Sequence, residues 1–267
     1  MSLRRESENS MERSILETSL LSDLLNMAEA MLVSGSEVSR VEDTVTRMGL
    51  AYGAAEIHAF VITSCIIITM VTTEGKEMTQ TRRITVAGGT DFMKLEQFND
   101  LSRRCCGGQV PQEHISQEVE KIACQQPNRA KIYLGSVLAA SGFAMFFGGA
   151  PIDAIMTSLF AVLICYLQEK LLPICMNQMA FNMISSLMVG TLIGIYVRLY
   201  PGLQMDKIMI GCVMLLIPGV ALTNAVRNIL MGNTISGVMR LIEAFLWAAA
   251  LAGGFMIALF ITGGAYV

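Results

Sequence analysis

The side chains that could do chemistry in this chain are polar and ionisable groups set inside apolar sequence. Asp153 opens one otherwise uncharged run. Gln178, Asn182 and the pair Ser185-Ser186 recur at helical spacing and make one polar stripe. Asn224, Arg227 and Asn228 share a helix face, and Arg240 and Glu243 stand three residues apart, close enough to pair within one helix. An ionised group at the centre of a bilayer costs about 2.5–3.5 kcal/mol on insertion scales, so a membrane chain keeps one there for a reason. The chemistry these residue types suit is the lining of a hydrophilic pathway. Each also has a structural reading. Asp153 would cap a helix N-terminus, the stripe would bind helices together, and Arg227, Arg240 and Glu243 would be surface charges at the membrane edge. Pro218-Gly219 falls just ahead of the Asn224 cluster. Proline removes a backbone donor and glycine loosens the turn, and broken helices are a common way to build a binding site at membrane depth.

Other chemistry finds little support. The two histidines, His58 and His114, have no Cys, Ser or acidic companion at a recognisable spacing, and no nucleophile motif, Walker loop or dinucleotide fingerprint occurs. The seven cysteines are scattered and odd in number, without zinc spacing, and read as reduced thiols. No enzyme activity, cofactor or metal is expected. Net charge of −3 gives no reason to expect nucleic acid. The pairs Arg82-Arg83 and Arg103-Arg104 suit either a solvated face or contact with lipid headgroups or an anionic solute.

These groups must be positioned by two very different halves. Residues 1–131 hold 14 Lys/Arg and 18 Asp/Glu, whereas residues 132–267 hold 5 and 4. A soluble domain the size of the second half could not cover its surface with so few charges. Crossing a bilayer takes about 20 apolar helical residues, and five segments approach this: 132–149, 154–168, 171–197, 208–226 and 244–267. The expected fold is therefore an α-helical polytopic membrane protein of about five transmembrane helices (131–267), preceded by a soluble α+β domain (1–130). Lys and Arg near the helix ends favour a cytoplasmic N-terminus and an external C-terminus. The polar start of the chain has no signal-peptide core, in keeping with a multi-pass protein of the plasma (inner) membrane. The GxxxG of Gly190 and Gly194 and the pair Gly253-Gly254 suit close helix packing or an interface, including self-association.

In the first half, periodicity predicts a helix over 14–32 stopped by Gly35, and a second helix capped by Ser36 with Val38, Val41, Val45 and Met48 on one face. Residues 57–71 read as two strands around Thr63-Ser64, with a third over 77–86 and helices near 91–104 and 112–124. An Arg40–Glu42 pair is expected to tie the second helix to the sheet.

The stretch Gly35-Ser-Glu-Val-Ser-Arg-Val-Glu-Asp-Thr-Val, residues 54–72, and Thr81-Arg-Arg-Ile resemble the N-terminal part of the threonine/serine exporter family. Residues 218–244, from Pro218-Gly-Val-Ala-Leu-Thr-Asn-Ala-Val-Arg-Asn to Arg240-Leu-Ile-Glu-Ala, look like that family's most recognisable membrane segment. The resemblance covers nearly the whole chain. It implies a cytoplasmic domain followed by about five spans. It also implies a second membrane portion, here expected as a separate small multispan subunit, and efflux of threonine, serine or a dicarboxylate such as succinate driven by an ion gradient. One departure stands out: the family usually carries an acidic residue where this chain has Asn228, and often another at Asn233. If that carboxylate serves coupling, this chain would couple elsewhere, at Asp153 or Glu243. The competing expectation is a non-transporting membrane-anchored sensor or adaptor.

Overall fold

Local breakers set the element boundaries of the N-terminal region. Helix α1 (Ser2–Val33) meets no proline or glycine until Gly35 and so begins earlier than the expected Ser14. It ends in a Schellman-type stop: Ser36 N–H donates to Met31 O and Gly35 N–H to Leu32 O, with Gly35 at φ +87. Helix α2 (Val38–Ala51) follows. Ser36 is not its cap; Glu37 occupies the N-cap position without a side-chain capping bond. The computed structural model describes residues 2–85, 89–175 and 177–263, with side chains from Ser14 onward.

Strands β1 (Glu56–Ile62), β2 (Cys65–Val71) and β3 (Glu77–Arg83) form an antiparallel meander in that order. The third strand is shorter than expected because its partner runs out: Arg83 lies opposite Cys65, where β2 begins. Val86, the expected last residue, lies outside the described residues. Helix α3 (Phe92–Cys106) is capped by the Asp91 carboxylate, which accepts from Lys94 N–H at 3.1 Å. Pro111 leads through a short 3-10 turn into α4 (Ile115–Ala123).

The chain divides into two compact units. The first runs to Gln125 and takes in Val220–Leu241 as well. Its core packs Leu21, Leu24 and Met31 of α1, the predicted α2 face Val38, Val41, Val45 and Met48, the inner sheet residues Ile66, Ile68 and Met70, and Phe98 and Ile115. Full burial of each such side chain contributes about 1.5–3 kcal/mol. Gly49 is required where α2 crosses β1, since a Cβ there would lie 2.5 Å from an Ile57 side-chain carbon. Beside the core, Arg82 bonds Asn26 and Glu29 of α1, and Ser116 bonds both Asn26 and Asp23.

The second unit holds α5 (Arg129–Phe146), α6 (Pro151–Lys170), α7 (Gln178–Leu199), α8 (Met205–Leu216) and α10 (Thr234–Ile261) from Ile242 on. The intervening α9 (Gly219–Leu230) belongs almost wholly to the first unit. The first two predicted spans shift by two or three residues at each end, and the other three change more. The third starts late because Leu171–Cys175, with Pro173, is a turn, and Asn177 caps α7 by accepting from Ala180 N–H at 2.8 Å. The fourth is broken between α8 and α9 at Ile217-Pro218. The fifth begins at Thr234, and its expected residues 264–267 lie outside the described residues.

Among the described residues, α6, α7 and α10 are long and apolar enough to cross a membrane, and the broken pair α8–α9 makes four if taken as one span. That is one fewer than expected. The difference is α5, which spends its first turn on Arg129 and Lys131 and has 18 residues in all. Many large apolar side chains of this unit face outward, among them Leu134, Phe146, Leu159, Met256 and Phe260, which is the surface a bilayer rather than water would cover. Inside, α7 and α10 meet through small residues. A Cβ on Gly190 would lie 2.8 Å from Ala258 and Phe255, and one on Gly194 within 2.7 Å of Thr262. On the other helix, a Cβ on Gly254 would collide with Ser186 and with the Met183 carbonyl. Arg198 of α7 donates to the Thr262 carbonyl at the end of α10, where a cation opposes the helix dipole.

Candidate functional site

The polar residues singled out by sequence fall into separate groups. Asp153 is fully buried in the first turn of α6, just after the N1 proline Pro151. One carboxylate oxygen accepts from Ala150 N–H at 2.8 Å, and the other accepts from Gln204 N–H at 2.8 Å. Asp153 thus caps its own helix and also clips the loop that leads into α8. Thr157 closes the same turn by donating to the Asp153 carbonyl.

The stripe on α7 is a connected polar chain. Gln178 Nε2 donates to Asn182 Oδ1 at 3.0 Å, and Asn182 Nδ2 donates to the Trp247 carbonyl of α10 at 3.4 Å. Ser185 and Ser186 turn their hydroxyls back onto the carbonyls of Asn182 and Met183. Asn182, Ser185 and Ser186 are buried, so these bonds meet donors that water could not reach. Glu243, at the α10 end of this unit, is exposed.

The Pro218-Gly219 break sits where sequence put it, with Gly219 N–H closing a tight turn onto the Ile217 carbonyl at 2.9 Å. Beyond it, α9 and the start of α10 join the first unit. Arg227 makes a 2.7 Å ion pair with Glu37, which is 18% exposed. Arg240 donates to the Ser36 carbonyl at 3.4 Å, so both arginines meet the segment that opens α2. Gly237 admits the close crossing of α10 over α9, since a Cβ there would lie 2.8 Å from the Ala225 carbonyl. Asn224 is half-buried. Asn228 is buried, and its side-chain nitrogen has no hydrogen-bond partner among the described residues.

Arg40 and Glu42 do not pair. Glu42 alone ties α2 to the sheet, its carboxylate accepting from Val61 N–H at 3.0 Å and covering an outward-facing donor of the edge strand β1. Burial pushes the Glu42 carboxyl up from its ordinary value, with the Val61 bond opposing. Burial likewise raises Asp23, against the Ser116 bond. Two residues apart on a helix point to different faces: Arg40 instead lines a cleft of about 480 Å³ together with Arg227. Sequence reasoning missed Glu37, Asp43 and Arg47 in that cleft, as well as the Trp247 carbonyl and Gln204. Each partner lies either on an element that looks like an ordinary charged helix or in the backbone, where side-chain patterning carries no signal.

Comparison with known proteins places this architecture. The family model described as a putative threonine/serine exporter matches residues 24–262. A probable threonine/serine exporter of Mycobacterium tuberculosis is 23% identical over 239 residues, covering 88% of this chain and 45% of the relative; the chain thus spans less than half of that protein's length. A probable succinate transporter subunit of Klebsiella aerogenes, YjjP, is 23% identical over 234 residues, 87% of this chain and 90% of the relative. No solved structure matches. A family model that takes in the α1–β3 core, the capped start of α6, the α7–α10 contact and the Pro218 break leaves one assignment: the chain is a membrane protein of the threonine/serine exporter family.

Proposed function

We propose that the chain is one half of a secondary-active exporter of small metabolites, threonine- or serine-like amino acids or a dicarboxylate such as succinate, working with a separate small membrane subunit. The observation that carries this is the alignment along 90% of a relative named as a transporter subunit. In this reading α5 is the fifth span, residues 1–130 form the cytoplasmic domain, the C-terminus is outside, and the membrane is the plasma (inner) membrane. The residues assigned to the solute are Gln178, Asn182 and Glu243 in the second unit and, in the first, Asn224, Arg227, Asn228 and Arg240. The buried side-chain nitrogen of Asn228, without a partner among the described residues, supports this reading, because an unsatisfied donor is costly and a ligand or partner can supply the acceptor. An asparagine takes up no proton, so coupling falls to another group, of which Glu243 is exposed. Asp153 is the weaker candidate, since both its oxygens are engaged by backbone donors.

The test is efflux of preloaded serine, threonine and succinate from cells lacking their own exporters, with this chain expressed alone and with a candidate small subunit. Efflux of one solute only when both chains are present, reduced by Asn182→Ala and Asn228→Ala, supports the reading. Failure with all three solutes despite membrane insertion of both chains turns it toward a membrane-anchored sensor.

A further inference from the structure

We infer that the cleft between α2, α3 and α9 is a binding site for a small soluble dianion, a dicarboxylate or inorganic phosphate. Its wall brings together four arginines, Arg40, Arg47, Arg103 and Arg227, and two carboxylates, Glu37 and Asp43. Both carboxylates are already taken: Glu37 by Arg227 at 2.7 Å and Asp43 by Arg47 at 2.8 Å. Arg103 reaches Asp100 at 3.2 Å, in an exposed pair. The Arg40 side chain has no hydrogen bond or ion pair among the described residues. The lining therefore carries two more positive than negative charges, with Arg40 uncommitted and Arg103 only loosely held. Like charges gathered in one concavity repel, and an anion of charge two relieves that repulsion while accepting from two guanidinium forks.

Size and lining agree. About 480 Å³ is room for a small metabolite. The remaining walls include Ser39, Asn99 and Ser102, which can orient carboxylate or phosphate oxygens, and Met231 is the one apolar side chain among them. The site lies wholly within the first unit; it shares Arg227 with the residues assigned to the exported solute, and binding to it is read without transport. Because Arg227 is shared between Glu37 and the cleft, an added anion competes with Glu37 for it.

Calorimetric titration of the purified full chain in detergent tests this, with succinate, phosphate and acetate as probes at low and high salt. Succinate or phosphate is expected to bind saturably, more weakly as salt rises, and acetate far less tightly. Arg40→Ala and Arg103→Ala should each weaken binding about tenfold, the loss of one charge-assisted contact. Arg83→Ala, exposed on β3 and away from the cleft, should leave it unchanged, and Glu37→Gln should strengthen it by freeing Arg227. Absence of saturable binding by either dianion overturns the inference. So does acetate binding as tightly as succinate, or binding that Arg40→Ala and Arg103→Ala leave intact. Efflux is measured separately: binding without efflux would sink the export reading and leave the site standing.

Discussion

Replacing Asp153 separates a structural carboxylate from one that acts on a solute. Its two oxygens accept from Ala150 N–H and Gln204 N–H, both at 2.8 Å, and the residue is fully buried. A charge-assisted hydrogen bond contributes about 1.5–3 kcal/mol, and a buried donor left unpaired costs about 1–3 kcal/mol. Asp153→Ala orphans both donors and should destabilise the second unit by about 3 kcal/mol. Asp153→Asn keeps one acceptor and turns an NH₂ group toward the other donor, for about 1–2 kcal/mol. Thermal unfolding of the purified chain in detergent should rank wild type above Asn above Ala. Hydrogen exchange should rise at the Ala150 and Gln204 amides, which protect the starts of α6 and the α8 loop. Efflux by the surviving Asp153→Asn protein, measured per molecule inserted, should remain within a few-fold of wild type. An Asp153→Asn chain with unchanged unfolding temperature and exchange but no efflux would refute this reasoning and make Asp153 a working group of the pathway.

Gly254→Leu should lower the unfolding temperature, by overpacking worth about 1–3 kcal/mol, because its side chain meets Ser186 and Met183. Gly253→Ala, which faces open space, should leave it unchanged in the same assay. Glu42→Ala should raise hydrogen exchange at Val61 without altering the α6 or α7 amides. For Asp23 and Glu42 the folded carboxyl holds its proton more tightly than the unfolded one. Their contribution to stability therefore grows as pH falls toward their ordinary values of 3.8 and 4.5 and is lost as pH rises through the raised ones. Unfolding followed against pH in that window should show a smaller slope in an Asp23→Asn, Glu42→Gln chain. Arg198→Ala should fray the last turn of α10, seen as faster exchange at residues 259–262, at a cost of about 1 kcal/mol.

Much of this was legible because short-range physics decides it. The hairpin at Thr63-Ser64, the stop at Gly35, the α2 core face and the break at Pro218 all follow from turn chemistry and periodicity within a few residues. Hydropathy located the three helices long enough to span and the broken α8–α9 pair, but it overcounted at α5 and missed the edges. Pro173 delayed α7, and nothing in the apolar run from Ala244 announced that α10 would start at Thr234. Long-range partners were not legible at all. Arg227 reads as a charge at a helix end until Glu37, 190 positions earlier, is beside it. The sequence offers Asp153 as a helix cap but gives no sign that its second oxygen accepts from Gln204 N–H, 51 positions later. The Arg40–Glu42 expectation failed because residues two apart on a helix cannot share a target, and their side chains went to different surfaces.

The first unit is assembled from two stretches of chain, with the α5–α8 segment synthesised between them. A ribosome making this protein therefore delivers the α1–α4 core early, and α5–α8, with the membrane-length helices α6 and α7, emerge before α9. Until then Glu37 has no Arg227 and the Ser36 carbonyl no Arg240. The part translated first is completed late, after its anchoring helices exist. A truncated product released before α9 would present the cleft open on its α9 side, with Glu37 left without its ion pair.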